Sequence, residues 1–467
     1  MVLWKPDPSF YPSPKMAMKA PPERFGYVVA LNYGKGNRPD VVCVVDLDPQ
    51  SPTYSQVINT LELPYVGDEL HHFGWNACSS ALCPYAPHPH LERRYLIVPG
   101  IRSSRIYVID TKPDPIRPRI VKVIEPQEVM SKSGYSRPHT VHCGPDAIYI
   151  SALGSADGDG PGGIFLLDHF SFEVIGPWEI YRGSQELAYD FWWHLAEDVM
   201  VTSEWAKPSQ FENGLVPQDL LANKYGHQIH FWDLRKRRII QTIDIGAENQ
   251  MLLELRPAHE PTRVYGFAGV VVSTKDLSSS IWLWYRENNK WQIKKVITIP
   301  PVPASESDLP PILKPFGAVP PLVTDINLSL DDRFLYVSCW GTGQLHQYDV
   351  SNPFEPKLVG KVEIGGIVSR KGHPKGGESL SGGPQMVEIS RDGRRVYFTN
   401  SLYSTWDDQF YPDGLEGWMV KAIAEPGGGL KLDPDFFVYF GQTRPHQVRL
   451  EGGDASADSF CYPSYPS

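Results

Sequence analysis

One pattern recurs along this chain: a histidine or other polar residue followed at once by a short apolar run. It appears as Leu70-His71-His72-Phe73-Gly74-Trp75, as Pro138-His139-Thr140-Val141-His142-Cys143 and as Tyr189-Asp190-Phe191-Trp192-Trp193. It returns as Ala258-His259 leading into Val264–Phe267, as Thr324-Asp325-Ile326-Asn327-Leu328, as Pro384-Gln385-Met386-Val387 and as Pro445-His446-Gln447-Val448. Starts spaced by several tens of residues, each followed by further strand-like runs, are the mark of a β-propeller. The seven starts predict an all-β, seven-bladed propeller whose innermost strands begin at these residues. His72, His139, Asp190, His259, Asp325, Gln385 and His446 then face a common axis.

The later strands of each blade are legible too. Second strands are expected at Arg94–Val98, Ala147–Ser151, Asp198–Thr202, Arg333–Ser338 and Arg395–Thr399. Third strands end in Asp46, Asp110, Asp168, Asp233 and Asp349, where a carboxylate can accept hydrogen bonds from the following turn. Three strands, Tyr27–Leu31, Val41–Asp46 and Gln56–Leu61, precede any ring start, with a turn at Gly34-Lys35-Gly36-Asn37, whereas the final start at His446 has no strands after it. Joining the two completes one blade from both ends of the chain and hides the sheet edges that would otherwise pair with other chains. Residues 1–24 read as an irregular Pro- and Lys-rich arm, and 25–467 as a single propeller domain. The stretches 205–227, 300–321 and 366–383 read as long loops, some of them covering one mouth of the ring. Pro217–Asn223 is the best short helix.

Composition removes several function classes. The formal charge of −10 over 467 residues, without a basic stripe, argues against nucleic acid. No apolar run is long enough to span a membrane. The start Met1-Val2-Leu3-Trp4-Lys5-Pro6 lacks the form of a secretory signal, so a cytoplasmic protein with reduced thiols is expected, a trimmed periplasmic form being the alternative.

Histidines converging on one axis repel one another when charged, and a bound metal removes that conflict. Imidazole suits Cu, Zn, Fe and Ni, and spacing alone does not choose among them. His72, His139, His259 and His446 are the ring candidates, with His71 and His142 beside them. Adjacent strand residues point to opposite sides, so one of His71 and His72 is expected to face inward. Asp190 and Asp325 are candidates for metal ligands, for acceptors that fix imidazole tautomers, or for general bases. Glu204, after Val201-Thr202-Ser203, is a candidate carboxylate at the mouth, and Cys78 a candidate reactive thiol. The His88-Pro89-His90 segment is an H-x-H in a Pro-rich surface loop; it could bind metal adventitiously, but it reads first as a solvated loop.

Several long strings resemble the selenium-binding protein family, whose bacterial members are methanethiol oxidases. They are Asp68–His72 with Gly74–Ser80, His139–Cys143, Ser203-Glu204-Trp205, Thr324–Arg333, Gly382–Met386 and, most specific, Ser401–Pro412. The resemblance spans nearly the whole chain. It implies a propeller enzyme that uses copper to convert methanethiol, dioxygen and water into formaldehyde, hydrogen sulfide and hydrogen peroxide. His71, His72, His139, His142, His259 and His446 all lie in motifs like the family's. The competing expectation is a non-catalytic propeller that binds selenium or a metal. Some animal members carry a cysteine, proposed to hold selenium, in the segment matching Tyr54–Val57; this chain has Ser55 there, so attachment at that point is not expected.

Overall fold

The protein is seen in a computed structural model that describes residues 5–464 apart from 33 and 35. Residues 1–4 of the expected arm and Lys35 of the expected turn therefore lie outside the described residues. Seven four-stranded antiparallel sheets follow one another around an axis, as expected. Blade 1 combines Phe25–Leu31, Val41–Asp46 and Val57–Glu62 with the last strand, Arg444–Leu450, which lies innermost. Blade 2 runs from Gly74–Trp75 to Arg119–Ile124, blade 3 from Tyr135–Cys143 to Val174–Pro177, and blade 4 from Phe191–His194 to Arg238–Asp244. Blade 5 runs from Asn249–Pro257 to Lys290–Ile299, blade 6 from Val323–Leu328 to Lys357–Glu363, and blade 7 from Val387–Ile389 to Leu430–Gly441.

Burial follows from stacking the blades face to face. The inner strands Arg444–Leu450 and Val323–Leu328 are buried at every residue, because both faces of the sheet are covered. The outermost strand Arg238–Asp244 alternates exposed and half-buried residues, as an edge strand with one solvated face should. The aspartates closing the third strands do serve the turns. Asp110 accepts from the Lys112 amide at 2.9 Å, Asp233 from Lys236 at 2.8 Å and Asp349 from Ser351 at 2.9 Å.

Blade 5 corrects one expectation. Its inner strand is Asn249–Pro257, and the run Tyr265–Ser273 is its second strand. Ala258-His259 therefore sits in the turn that leaves the axis, not at an inner-strand start. The reason is visible in the residues: the inner strand opens on Asn249-Gln250 and carries no histidine, so the histidine-led pattern falls one strand later at His259.

The long loops build a cap over one mouth. Trp205, Phe211, Leu220, Leu313, Trp406 and Phe410 belong to one buried apolar cluster on that side, with the helix Ser404–Phe410 among its elements. The other mouth is covered by the C-terminal tail. Asp458 is held between Arg93 Nη2 at 2.6 Å and Arg391 Nη2 at 3.0 Å, and Ser456 Oγ donates to Glu388 at 2.5 Å. A disulfide joins Cys83 to Cys461, which overturns the expectation that all cysteines are free thiols; Cys43, Cys78, Cys143 and Cys339 are free and buried. No helix among the described residues is long and apolar enough to cross a membrane.

Ring closure depends on apolar contact between the first and last strands. Val448 pairs with Val28 and both are fully buried. We expect Val448→Ala to lower unfolding stability by about 2 kcal/mol, whereas Val302→Ala, on a residue 48% exposed, should leave it within about 0.5 kcal/mol; denaturant titration of the two variants checks this.

Candidate metal centre on the propeller axis

A regular inner strand gives its side chains to the neighbouring blades. Here the inner strands break register at one height, and the freed residues turn to the axis. The pairing skips from Pro138 to Val141 on blade 3, from Leu252 to Leu255 on blade 5 and from Pro445 to Val448 on blade 1. The residues released are His139-Thr140, Leu253-Glu254 and His446-Gln447. On blade 2 the pairing jumps from the isolated bridge at Leu70 to the strand at Gly74, releasing His71, His72 and Phe73. Such bulges re-aim side chains and gather near active sites. Left-handed backbone at Glu69 (φ 53°), Arg137 (φ 57°) and Met251 (φ 64°) lies two residues ahead of the first released position on blades 2, 3 and 5. For non-glycine residues this is strain that the surrounding packing must hold.

Four imidazoles meet at the axis under the apolar cap. The His71 ring stacks on His446 with centroids 3.6 Å apart and lies 5.0 Å from His72 and 4.9 Å from His139; His72 and His139 are 4.1 Å apart. Candidate ligand nitrogens of His71, His72 and His446 all lie within 4.8 Å of one another. Both His71 and His72 face inward, contrary to the alternation argument, because neither belongs to a regular strand. His71 Nδ1, His72 Nε2, His139 Nε2 and His446 Nε2 are buried with no hydrogen-bond partner. On the last three the opposite nitrogen has a partner: His446 Nδ1 donates to the Ser401 carbonyl at 2.9 Å, and His139 Nδ1 meets Thr140 Oγ1 at 3.0 Å, which lies 3.4 Å from His72 Nδ1. Burial, reinforced by the neighbouring imidazoles, holds His71, His72 and His139 well below the usual histidine pKa. Burial takes His446 down to about 3, against the opposing pull of its bond to Ser401. The four rings are therefore neutral near pH 7, and the nitrogens of His71, His72 and His446 converge on one place with His139 beside them. That donor set, uncharged and otherwise unsatisfied, fits a transition metal.

Beneath the imidazoles lies a layer of charge. Glu254 Oε1 is 3.7 Å from His72 Nε2 and accepts from the Tyr189 hydroxyl at 2.9 Å. Arg256 bridges Glu254 at 3.1 Å, Asp325 at 3.1 Å and Asp190 at 3.4 Å. Burial, and then the Asp190 charge, push Glu254 up to about 7, and burial pushes Asp190 to about 6, Arg256 opposing both.

Each expected residue now has a place. His71, His72, His139 and His446 come together. His142 sits deeper, its ring 3.9 Å from Trp192 and its Nε2 3.5 Å from Asp190. His259 is excluded from the cluster: its Nε2 faces the Leu328 carbonyl at 2.9 Å and its amide donates to Asp332, at the tail-covered mouth. Asp190 and Asp325 work as clasps between blades. Asp190 accepts from the Leu255 amide at 2.9 Å and Asp325 from the Val387 amide at 2.7 Å, satisfying donors on the next inner strand. Glu204 is occupied by His230 Nε2 at 2.9 Å and the Gln228 amide at 3.1 Å. Cys78 lies toward the tail side, its Sγ 3.1 Å from the Cys143 carbonyl. Gln385 is fully buried and neither side-chain polar atom has a hydrogen-bond partner. Glu254, Tyr189 and Arg256 escaped the sequence reading. A carboxylate inside the apolar run Met251-Leu252-Leu253-Glu254-Leu255 was the available signal, since a lone charge in a buried strand must be paired.

Fold and site together define a single-ring propeller built around a buried histidine centre. The 56kDa selenium binding protein (SBP56) family matches residues 4–461, and the chain belongs to that family. It is 43% identical to a methanethiol oxidase of Xenopus laevis over 96% of this chain and 97% of the relative. It is 41% identical to selenium-binding protein 2 of Mus musculus over the same shares of the two chains. Among solved structures, a hypothetical selenium-binding protein from Sulfolobus tokodaii superposes with a TM-score of 0.96 at 65% identity, covering 98% of this chain and 100% of that one.

The depressed His446 pKa sets a sign for acid stability. Between pH 6.5 and about 3 the unfolded chain binds a proton at this residue that the folded chain does not. Its contribution therefore weakens folding as pH falls below 6.5, by about 1.4 kcal/mol per pH unit. For metal-free protein, His446→Gln should show a correspondingly shallower loss of stability from pH 6.5 to 5, measured by denaturant titration at both values.

Proposed function

We propose that the protein is a copper-dependent methanethiol oxidase, converting methanethiol, dioxygen and water into formaldehyde, hydrogen sulfide and hydrogen peroxide. The observation carrying this reading is the set of buried, neutral imidazole nitrogens without partners. Relatives of this chain in Xenopus laevis and Homo sapiens, 43% and 40% identical over nearly its full length, bear the name methanethiol oxidase. His71, His72 and His446 would hold the copper, with His139 beside them. Bound copper would supply a Lewis acid that favours the thiolate and a redox centre between thiol sulfur and dioxygen.

The chain's own residues prepare that chemistry. Ser401 holds the proton on His446 Nδ1, so Nε2 keeps its lone pair. Thr140 fixes His139 and His72 through their Nδ1 atoms in the same way. Tyr403, with its ring 5.9 Å from His71, and Trp205, 5.7 Å from Tyr189, present an apolar roof that suits a methyl group and excludes bulk water. Glu254 is the group positioned to take the thiol proton on Oε1, next to His72 and with its pKa pushed up to about 7. Arg256 and Tyr189 hold that carboxylate in place.

A second reading is a non-catalytic selenium- or metal-binding propeller, favoured by the family's description and by the mouse relative's name. One experiment separates them. Protein purified from copper-supplemented cells should carry about one copper per chain and release sulfide and peroxide from methanethiol. His71→Ala with His446→Ala should lose the copper and at least about 100-fold in turnover. Full turnover by metal-free protein would overturn the copper mechanism, and copper binding without any turnover would select the binding reading.

A further inference from the structure

The His88-Pro89-His90 segment lies away from the axis, yet it is not a free loop. It sits between the first two strands of blade 2, and the Cys83–Cys461 disulfide anchors its start. Pro84, Pro87 and Pro89 restrict its backbone. Across the seam to blade 3 it meets His169, in the turn after the strand Gly163–Leu167. The His88 ring lies 6.1 Å from His169 and 6.0 Å from His90, at interplanar angles of 85° and 80°. Phe170 backs both loop histidines, 4.9 Å from His88 and stacked 5.6 Å from His90.

His169 is the unusual member. It is 2% exposed, and neither of its ring nitrogens closes a hydrogen bond of normal geometry. The Gly144 carbonyl and the Asp146 carboxylate are its polar neighbours. A buried imidazole held this loosely is uncommon, because such groups ordinarily have a close hydrogen-bond partner. Burial, then the His88 charge, takes its pKa down to about 4, so it is a neutral donor at physiological pH. Two imidazoles bound to one cation at about 2.0–2.1 Å in a tetrahedral arrangement place their ring centres roughly 5–6 Å apart. The two separations centred on His88 lie close to that range, and closing the site on His169 requires the half-buried His88 and the exposed His90 to rotate toward it.

We propose that His88, His90 and His169 form a second metal site, for a first-row divalent cation such as Zn2+, that bridges blades 2 and 3. Three imidazoles leave a fourth position to water. The site is separate from the axial histidines and does not depend on what they catalyse. Its buried member is fixed by the blade, and its two outer members arrive on a stapled loop.

The test uses the full chain with the axial cluster disabled by His71→Ala and His446→Ala, stripped with chelator and titrated with Zn2+ against a chromophoric competitor. One equivalent should bind, and Co2+ should give the visible absorption of an imidazole-ligated tetrahedral ion. Adding His88→Ala and His90→Ala, both outside the buried core, should weaken Zn2+ binding at least tenfold and abolish the Co2+ spectrum. If the axial variant does not fold, the parent should bind two equivalents and the loop variant one. Zn2+ binding undiminished in the loop variant, or absent from the axial variant, would overturn the proposal.

Discussion

In a propeller both faces of every sheet are covered by neighbouring blades, so a perfectly regular inner strand would show the axis only its backbone edge. Everything chemical at the centre of this protein depends on escaping that rule. The register slips at Pro138–Val141, Leu252–Leu255 and Pro445–Val448 release His139, Glu254 and His446 toward the centre, and the irregular stretch after Leu70 does the same for His71 and His72. Breaking a ladder leaves backbone donors without partners in a place with little water. The protein answers with side chains from the adjoining blade: Asp190 on Leu255, Asp325 on Val387 and Gln447 on Phe73, the last at 2.7 Å. The same residues that free the centre thus join the blades around it.

The axis is ordered by charge as well as by shape. Imidazoles under an apolar roof are kept neutral by burial, while the level below concentrates formal charge around Arg256 and, nearer the tail, around Arg449, which meets Glu388 at 2.8 Å. Paired charge in a dry interior is stable only where each partner is satisfied, and here each guanidinium serves more than one carboxylate. Glu254 stands at the boundary between the two levels. It belongs to the ion-pair layer through Arg256 and to the histidine layer through His72. That position, rather than its charge alone, makes it the carboxylate of most interest.

Much of this was legible in the sequence. The repeat exposed seven blades, the completion of one blade by both chain ends, and His72, His139 and His446 on the axis. The failures share a cause: each needed knowledge of where a strand departs from regularity. Strand alternation would have hidden one of His71 and His72, but the bulged segment shows both. Blade 5 begins its inner strand on Asn249-Gln250, so a pattern keyed to histidine moved to His259, and Glu254 disappeared into an apolar run. Asp190 and Asp325 carry no local sign that their carboxylates accept from the backbone amides of Leu255 and Val387 on the next blade. The Cys83–Cys461 bond joins residues separated by 378 positions, a distance over which spacing carries no information.

That bond has a consequence for the chain as a polymer. The last strand is already woven into the first blade, and the disulfide ties the tail back to blade 2, while the N-terminal arm is held through Asp7 on the Arg93 amide at 3.1 Å. The described chain is therefore close to a closed loop, with its first and last strands and the segments flanking them tied to the ring. Closing so many residues into one loop restricts the unfolded ensemble by roughly 6 kcal/mol in the chain-entropy limit. In a ring closed in this way the first blade cannot peel off alone, because its innermost strand is also the continuation of the last.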